Sequence, residues 1–117
     1  MTPSKDIVYI IPAYGMGISA ETDLPLKLIK KFLLLQKETQ KLHKALCLFT
    51  DGVKLACLES PVIEELRGLE AAGVRIILCQ TCLEFFNLIE SVEVGIIGSM
   101  GDIIEAMQQA DSVITLS

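Results

Sequence analysis

Five short apolar runs rich in β-branched residues, separated by segments of helical period, restrict this chain more than any other feature. They cover residues 7–12, 45–50, 74–79, 92–97 and 112–116. Runs that are apolar throughout, rather than alternating, predict strands buried on both faces, as in parallel sheets. Parallel neighbours need crossovers, and the stretches 24–43, 61–72, 82–91 and 100–110 carry the apolar spacing of helices. The expected fold class is therefore α/β, a mostly parallel five-stranded sheet with helices on both faces in a three-layer sandwich.

Local signals sharpen the helix boundaries. Ser60 before Pro61 reads as an N-cap with a first-turn proline. Thr81 with Glu84, and Ser99 with Asp102, have the spacing of capping boxes. Gly73 is placed to end the second helix in a left-handed cap. With 117 residues and no linker-like stretch, residues 1–117 are expected to form a single domain whose core needs neither disulfide nor structural metal.

Composition narrows the function classes. An apolar fraction of 51% and a mean hydropathy of +0.52 are high for so small a domain, which predicts that some apolar surface meets another subunit. The longest apolar runs are far too short to cross a bilayer. A net charge of −5, with no basic run longer than Lys30-Lys31, disfavours nucleic acid as a partner. The N-terminus lacks the pattern of a secretory signal, so a cytoplasmic location and reduced thiols are expected.

In an open parallel sheet, ligands and reactions sit beyond the carboxyl ends of the strands. Four loops are predicted to converge there: 13–23, 51–59, 79–82 and 98–101. The third holds Cys79-Gln-Thr-Cys82, at the junction of a strand and a helix. With Thr81 as N-cap, Cys82 would take the first helical position, where a helix terminus favours thiolate over thiol. A cysteine of ordinary pKa near 8.5 is only about 3% ionised at pH 7, so such a depression matters.

Several readings compete for this pair, the blandest being two small residues packed beneath a helix. Zinc needs four ligands, and the remaining candidates are Cys47, Cys57 and the lone His43, which the pattern scatters. A dithiol of thioredoxin type is cued by a CxxC beside a βαβ pattern, but Leu78 and Thr81 stand where that motif has an aromatic residue and a proline. The third reading is a thiolate that takes up and hands on sulfur or selenium as a persulfide-type adduct. Gly15-Met-Gly17-Ile-Ser-Ala20 fits a dinucleotide fingerprint loosely, without a helix at the glycines or an acid at the required distance. Neither metal nor cofactor is expected. Lys54, Thr81, Ser99 and Met100 lie on the same predicted edge as candidate supporting groups, Cys57 could reach the site or be buried, and Met100 and Phe85-Phe86 also suit packing or a subunit contact.

The sequence resembles the DsrE-like sulfur-relay superfamily, and within it the DsrE-type domain of the YedF selenium-metabolism family. The resemblance is carried by Thr50-Asp-Gly-Val-Lys-Leu55, Glu59-Ser60, Leu69-Glu-Ala-Ala-Gly-Val74, Cys79-Gln-Thr-Cys-Leu83, Val94-Gly95, Ser99-Met100 and Ala110-Asp-Ser-Val-Ile-Thr115. It implies a DsrE-like sandwich that assembles into homo-oligomers, with the carrier cysteine at Cys79 and Cys82 as resolving or tuning thiol. Gln80 departs from the glycine of the YedF pattern, and the N-terminal sulfur-carrier domain usual there, with its Cys-Pro motif, is missing from this sequence. A separate donor or acceptor protein is therefore expected. The function expected is sulfur or selenium relay, a sulfurtransferase-type carrier; a thiol–disulfide oxidoreductase and a non-catalytic oligomeric binding module are the rivals.

Overall fold

The computed structural model describes residues 6–38 and 44–117. His43, with the predicted end of the first helix, lies outside the described residues. The strands are β1 (Ile7–Ile11), β2 (Lys44–Leu48), β3 (Arg75–Cys79), β4 (Ile96–Gly98) and β5 (Ser112–Thr115). The helices are α1 (Asp23–Glu38), α2 (Ile63–Ala71), α3 (Gln80–Phe85) and α4 (Met100–Gln109), with 3-10 turns at Thr50–Ala56 and Ile89–Ser91. All strand pairs are parallel, in the order β4-β3-β2-β1-β5. The α/β fold with a five-stranded parallel sheet is as the apolar runs predict.

Which helix covers which face follows from register and contacts. Tyr9 pairs in register with Leu46, which pairs with Ile76, so the three share one face. The Tyr9 ring meets Phe32 of α1 edge-on, with centroids 5.2 Å apart, which puts α1 on that face. Ile77 points to the other face, and a Cβ on Gly98 would touch both Ile77 and Asp102 of α4. α4 thus lies opposite α1. The order of strands demands this, because β1 to β4 advance one way across the sheet and right-handed crossovers put their helices on one side, while the return to β5 puts α4 on the other.

The core is formed by the three central strands and the inner stripes of the helices. Ile29 and Leu33 of α1, Leu66 and Leu69 of α2, and Ile103 of α4 are fully or almost fully buried against them. Each such side chain contributes roughly 1.5–3 kcal/mol through loss of contact with water. The expectation of strands buried on both faces holds for β1 to β3 and fails at the edges, where Ile96, Ile97, Val113 and Ile114 are exposed.

Three boundaries differ for identifiable reasons. Ser60 accepts the Val62 N–H at 3.2 Å and closes a turn, so α2 opens only at Ile63. α3 stops at Phe85 instead of Ser91, because Asn87 takes φ +58° and the N–H groups of Asn87 and Leu88 return to Glu84 and Leu83. β4 is shorter than predicted: Val92 makes an antiparallel bridge to Cys57, and only residues 96–98 join the sheet. Gly73, with φ +100°, ends α2 as expected, with Gly73 N–H to Glu70 and Val74 N–H to Leu69 completing the left-handed cap.

Candidate functional site

The pairing of Leu78 with Ile97 and Cys79 with Gly98 holds Cys79 extended in the sheet, with ψ 116°. The first residue free to turn helical is therefore Gln80, and Cys79 itself is the N-cap, with no side-chain capping bond. This corrects the expected placement of Thr81 as N-cap and Cys82 at the first helical position: Thr81 is second in α3 and Cys82 third. The box expected between Thr81 and Glu84 has no N-cap residue to close on. The box between Ser99 and Asp102 does form, with Ser99 N–H donating to Asp102 at 2.8 Å and Asp102 N–H donating to Ser99 Oγ at 3.1 Å.

Burial separates the two thiols. Cys79 is 1% exposed, whereas Cys82 is only partly buried. The Cys79 side chain lies on the α4 face of the sheet beneath the edge, and Cys82 is the more open of the two thiols. Cys79 lies close enough to Cys82 to raise its pKa. Cys82 Sγ also accepts the backbone N–H of Thr50 at 3.1 Å.

That N–H is held in an unusual backbone. Thr50 has φ +52°, a left-handed conformation that a β-branched residue rarely adopts and that costs on the order of 1–2 kcal/mol. The turn is pressed into place by Gly52, where an added Cβ would stand 1.9 Å from the Ile11 carbonyl oxygen. Thr50 was not singled out among the candidate residues, and its neighbour Asp51-Gly52, a turn-forming pair directly after a strand, was the available signal.

Electrostatics within one chain run against the expected easy thiolate. Burial pushes the Cys82 thiol above the ordinary cysteine value; the Thr50 N–H pulls it down, while the bond to Cys79, the Cys79 charge and Asp51 push it further up. Lys54, the expected positive neighbour, donates to Asp51 at 2.7 Å and lies 4.2 Å from the centroid of the Phe86 ring. Its charge is thus engaged beside the site.

Beyond Lys54 and Phe86 opens a groove of about 470 Å³, lined also by Tyr14, Cys57, Leu58, Glu59 and Leu88. Cys57 borders it but is buried, its thiol donating to the Val53 carbonyl at 3.3 Å and pushed up by burial and by Glu93. Cys47 lies in the core of β2 with its pKa pushed up to about 11, chiefly by burial. Among the described residues no group of three or more His, Cys, Asp or Glu side chains is arranged to hold a metal ion. Thr81 is exposed on α3, Ser99 has its bonds with Asp102, and Met100 is exposed at the start of α4. α1 opens at Asp23, well past Gly17, so the glycine loop does not lead into a helix as a dinucleotide fingerprint does.

Residues 32–116, from α1 through β5, match the DsrE/DsrF-like family. The chain belongs to that family. Solved structures similar to this DsrE/DsrF-like chain include the YchN protein of E. coli, 19% identical with a TM-score of 0.72 over 95% of this chain and 98% of that one. BT1422 of Bacteroides thetaiotaomicron, a conserved protein of unknown function, is 19% identical with a TM-score of 0.67, covering 94% of each chain. MTH1491 of Methanobacterium thermoautotrophicum, also of unknown function, is 17% identical with a TM-score of 0.67 over 93% and 96%. These likenesses establish the fold. No curated protein sequence matches the chain. No described helix is long and apolar enough to cross a membrane.

Proposed function

We propose that this DsrE/DsrF-like protein is a sulfur-relay carrier in which Cys82 receives the cargo and Cys79 holds or resolves it. The observation that carries this reading is the partly exposed Cys82 Sγ, which accepts the Thr50 N–H and has the buried Cys79 thiol as its neighbour. In the loading step, the Cys82 thiolate attacks the outer sulfur of a donor persulfide. A new S–S bond forms on Cys82, the donor's S–S bond breaks, and its electron pair leaves on the donor thiolate, which takes up the proton. Cys79 then attacks the outer sulfur to move it inward, or the inner sulfur to release hydrosulfide and leave a disulfide. The backbone N–H of Thr50 can stabilise negative charge on Cys82 sulfur during these exchanges.

The family resemblance supports the relay and a separate protein as donor or acceptor. Selenium is the alternative cargo, because the same thiolate chemistry handles either chalcogen. Incubation with a persulfide donor, followed by intact-mass measurement, should show one added sulfur per chain, lost on reduction. A chain that acquires none from any persulfide donor does not act as a carrier.

The contact between the thiols also favours a second reading, a thiol–disulfide oxidoreductase. A stable Cys79–Cys82 disulfide with sustained insulin reduction, and no sulfur uptake, would decide for it.

A further inference from the structure

The sheet ends at β4 in an edge that has no further strand beside it among the described residues. Ile96 and Ile97, which point to opposite faces, are 59% and 42% exposed there. Folded proteins commonly blunt such an edge with lysine or proline, and Ile96-Ile97-Gly98 carries neither. The edge is open to another strand.

A groove of about 320 Å³ runs between β4 and α4. Ile77 lines its floor, with Ile96 beside it in register. Gly98 keeps one end of the groove open, because an added Cβ there would stand 2.8 Å from Ile77. The charges along the groove are sorted. Arg75, two residues before Ile77, marks the end toward the amino ends of the strands, whereas Asp102, beside Gly98, and Glu105, three residues further along α4, mark the other. All three are exposed, and none has an ion-pair partner among the described residues.

We propose that β4 is a docking edge for an extended segment of a partner protein, added antiparallel to β4, whose first, third and fifth residues are basic, apolar and acidic. The pattern follows from strand geometry. Ile77 pairs with Ile96, so two residues earlier Arg75 is level with Val94, and the groove runs alongside positions 94–98. Every second residue of an added strand points to the α4 face, so the first meets Asp102 and Glu105, the third the apolar floor and the fifth Arg75. Antiparallel pairing, the more stable kind per residue, makes the segment start at the carboxylates and end at the guanidinium. Its basic residue therefore comes first. Main-chain hydrogen bonds to β4 hold the segment, and the side chains in the groove select it.

A second copy of this chain does not supply such a segment. None of the ten Lys and Arg residues is followed four positions later by an acid, and the reverse order occurs only at Asp23 and Lys27, which α1 holds in a helix. The inference is independent of how Cys79 and Cys82 are read.

The test titrates the full chain into a fluorescein-labelled peptide, Thr-Lys-Thr-Val-Thr-Glu-Thr with blocked ends, reading fluorescence anisotropy, and follows backbone amide exchange at residues 96–98 by NMR. The peptide should bind saturably and slow exchange at those amides. Its rearranged form, Thr-Thr-Lys-Glu-Val-Thr-Thr, should bind about fivefold more weakly or worse. R75E should weaken the first peptide by about fivefold, and a peptide with lysine in place of glutamate should prefer R75E to the unaltered chain, which also shows that the variant is folded. E105K should act in the same way at the basic end, rescued by a peptide with glutamate in place of lysine.

Equal binding of the rearranged peptide overturns the proposal, and so does binding that leaves exchange at 96–98 unchanged, because ionic attraction alone would produce either. Absence of binding at millimolar chain overturns it as well. Slow exchange at 96–98 that grows with protein concentration and without peptide would give the edge to a second copy, and the proposal would fall.

Discussion

β3 enters α3 through Cys79, and β4 enters α4 through Ser99, at neighbouring positions on the same edge of the sheet. At Ser99 the helix start is closed by two reciprocal hydrogen bonds with Asp102. At Cys79 no side chain caps the helix, and the nearest polar bond is drawn from a left-handed Thr50 to a sulfur. One junction satisfies its orphan N–H groups; the other leaves them open and sets two thiols in their place. The contrast teaches where this fold maximises stability and where it keeps reactive atoms instead.

The sharpest way to break the comparison is to exchange the thiols. Cys82→Ser is expected to abolish uptake of sulfur from a persulfide donor, because it removes the thiol that opens outward. Cys79→Ser should still load but lose its cargo faster to added reductant. The opposite pattern in intact-mass measurements, loading lost in Cys79→Ser and kept in Cys82→Ser, would restore the carrier role that the family resemblance gives Cys79.

A smaller effect separates the junctions by stability. Ser99→Ala removes a formed cap and should cost about 1 kcal/mol, or roughly 4 °C in Tm, with sulfur loading unchanged. Cys79→Ser supplies a capping hydroxyl where none acts now, so its Tm should not fall below that of the unaltered chain. If both variants melt lower by the same amount in a thermal scan, the two helix starts are equivalent and the contrast fails.

The legible part of this architecture was the part set by hydrophobic periodicity. Continuous apolar runs located all five strands, and Gly73 and the Ser99–Asp102 spacing fixed two helix ends, because each depends on residues within one turn. The site was legible only to the level of the CxxC pair. Which cysteine is buried depends on the pairing of Cys79 with Gly98, and the N–H on Cys82 comes from a residue 32 positions earlier. The pairing of Lys54 with Asp51 was not legible, because it depends on the 3-10 winding of Thr50–Ala56, for which no apolar period gives a signal.

Titration offers a finer probe of the open junction. Cys82 is raised by burial first, and Asp51 adds to the rise, so alkylation should set in above the pH of an ordinary thiol. Raising the pH past that midpoint is what exposes thiolate. Asp51→Asn removes a negative neighbour and releases Lys54, and both changes favour thiolate. The midpoint of iodoacetamide labelling should therefore move down, by a fraction of a unit because Asp51 is the last and smallest of the causes. An unchanged or higher midpoint would show that Asp51 does not act on the sulfur.

The smallest effect tests whether the turn stores strain. At position 50 glycine would occupy φ +52° without the clash that threonine meets, a relief of about 1–2 kcal/mol. Glycine also gives the unfolded chain more freedom, which offsets roughly 0.5–1 kcal/mol of that gain. Thr50→Gly should thus unfold at slightly higher denaturant, by about 0.5 kcal/mol in free energy, with the same dependence on denaturant concentration. The backbone N–H survives the substitution, so loading should persist. It should also slow, because a glycine holds that N–H less firmly against Cys82. A variant that is both less stable and equally fast would mean that the left-handed turn is relaxed by contacts of the threonine side chain, and that the open junction carries no backbone cost for its chemistry.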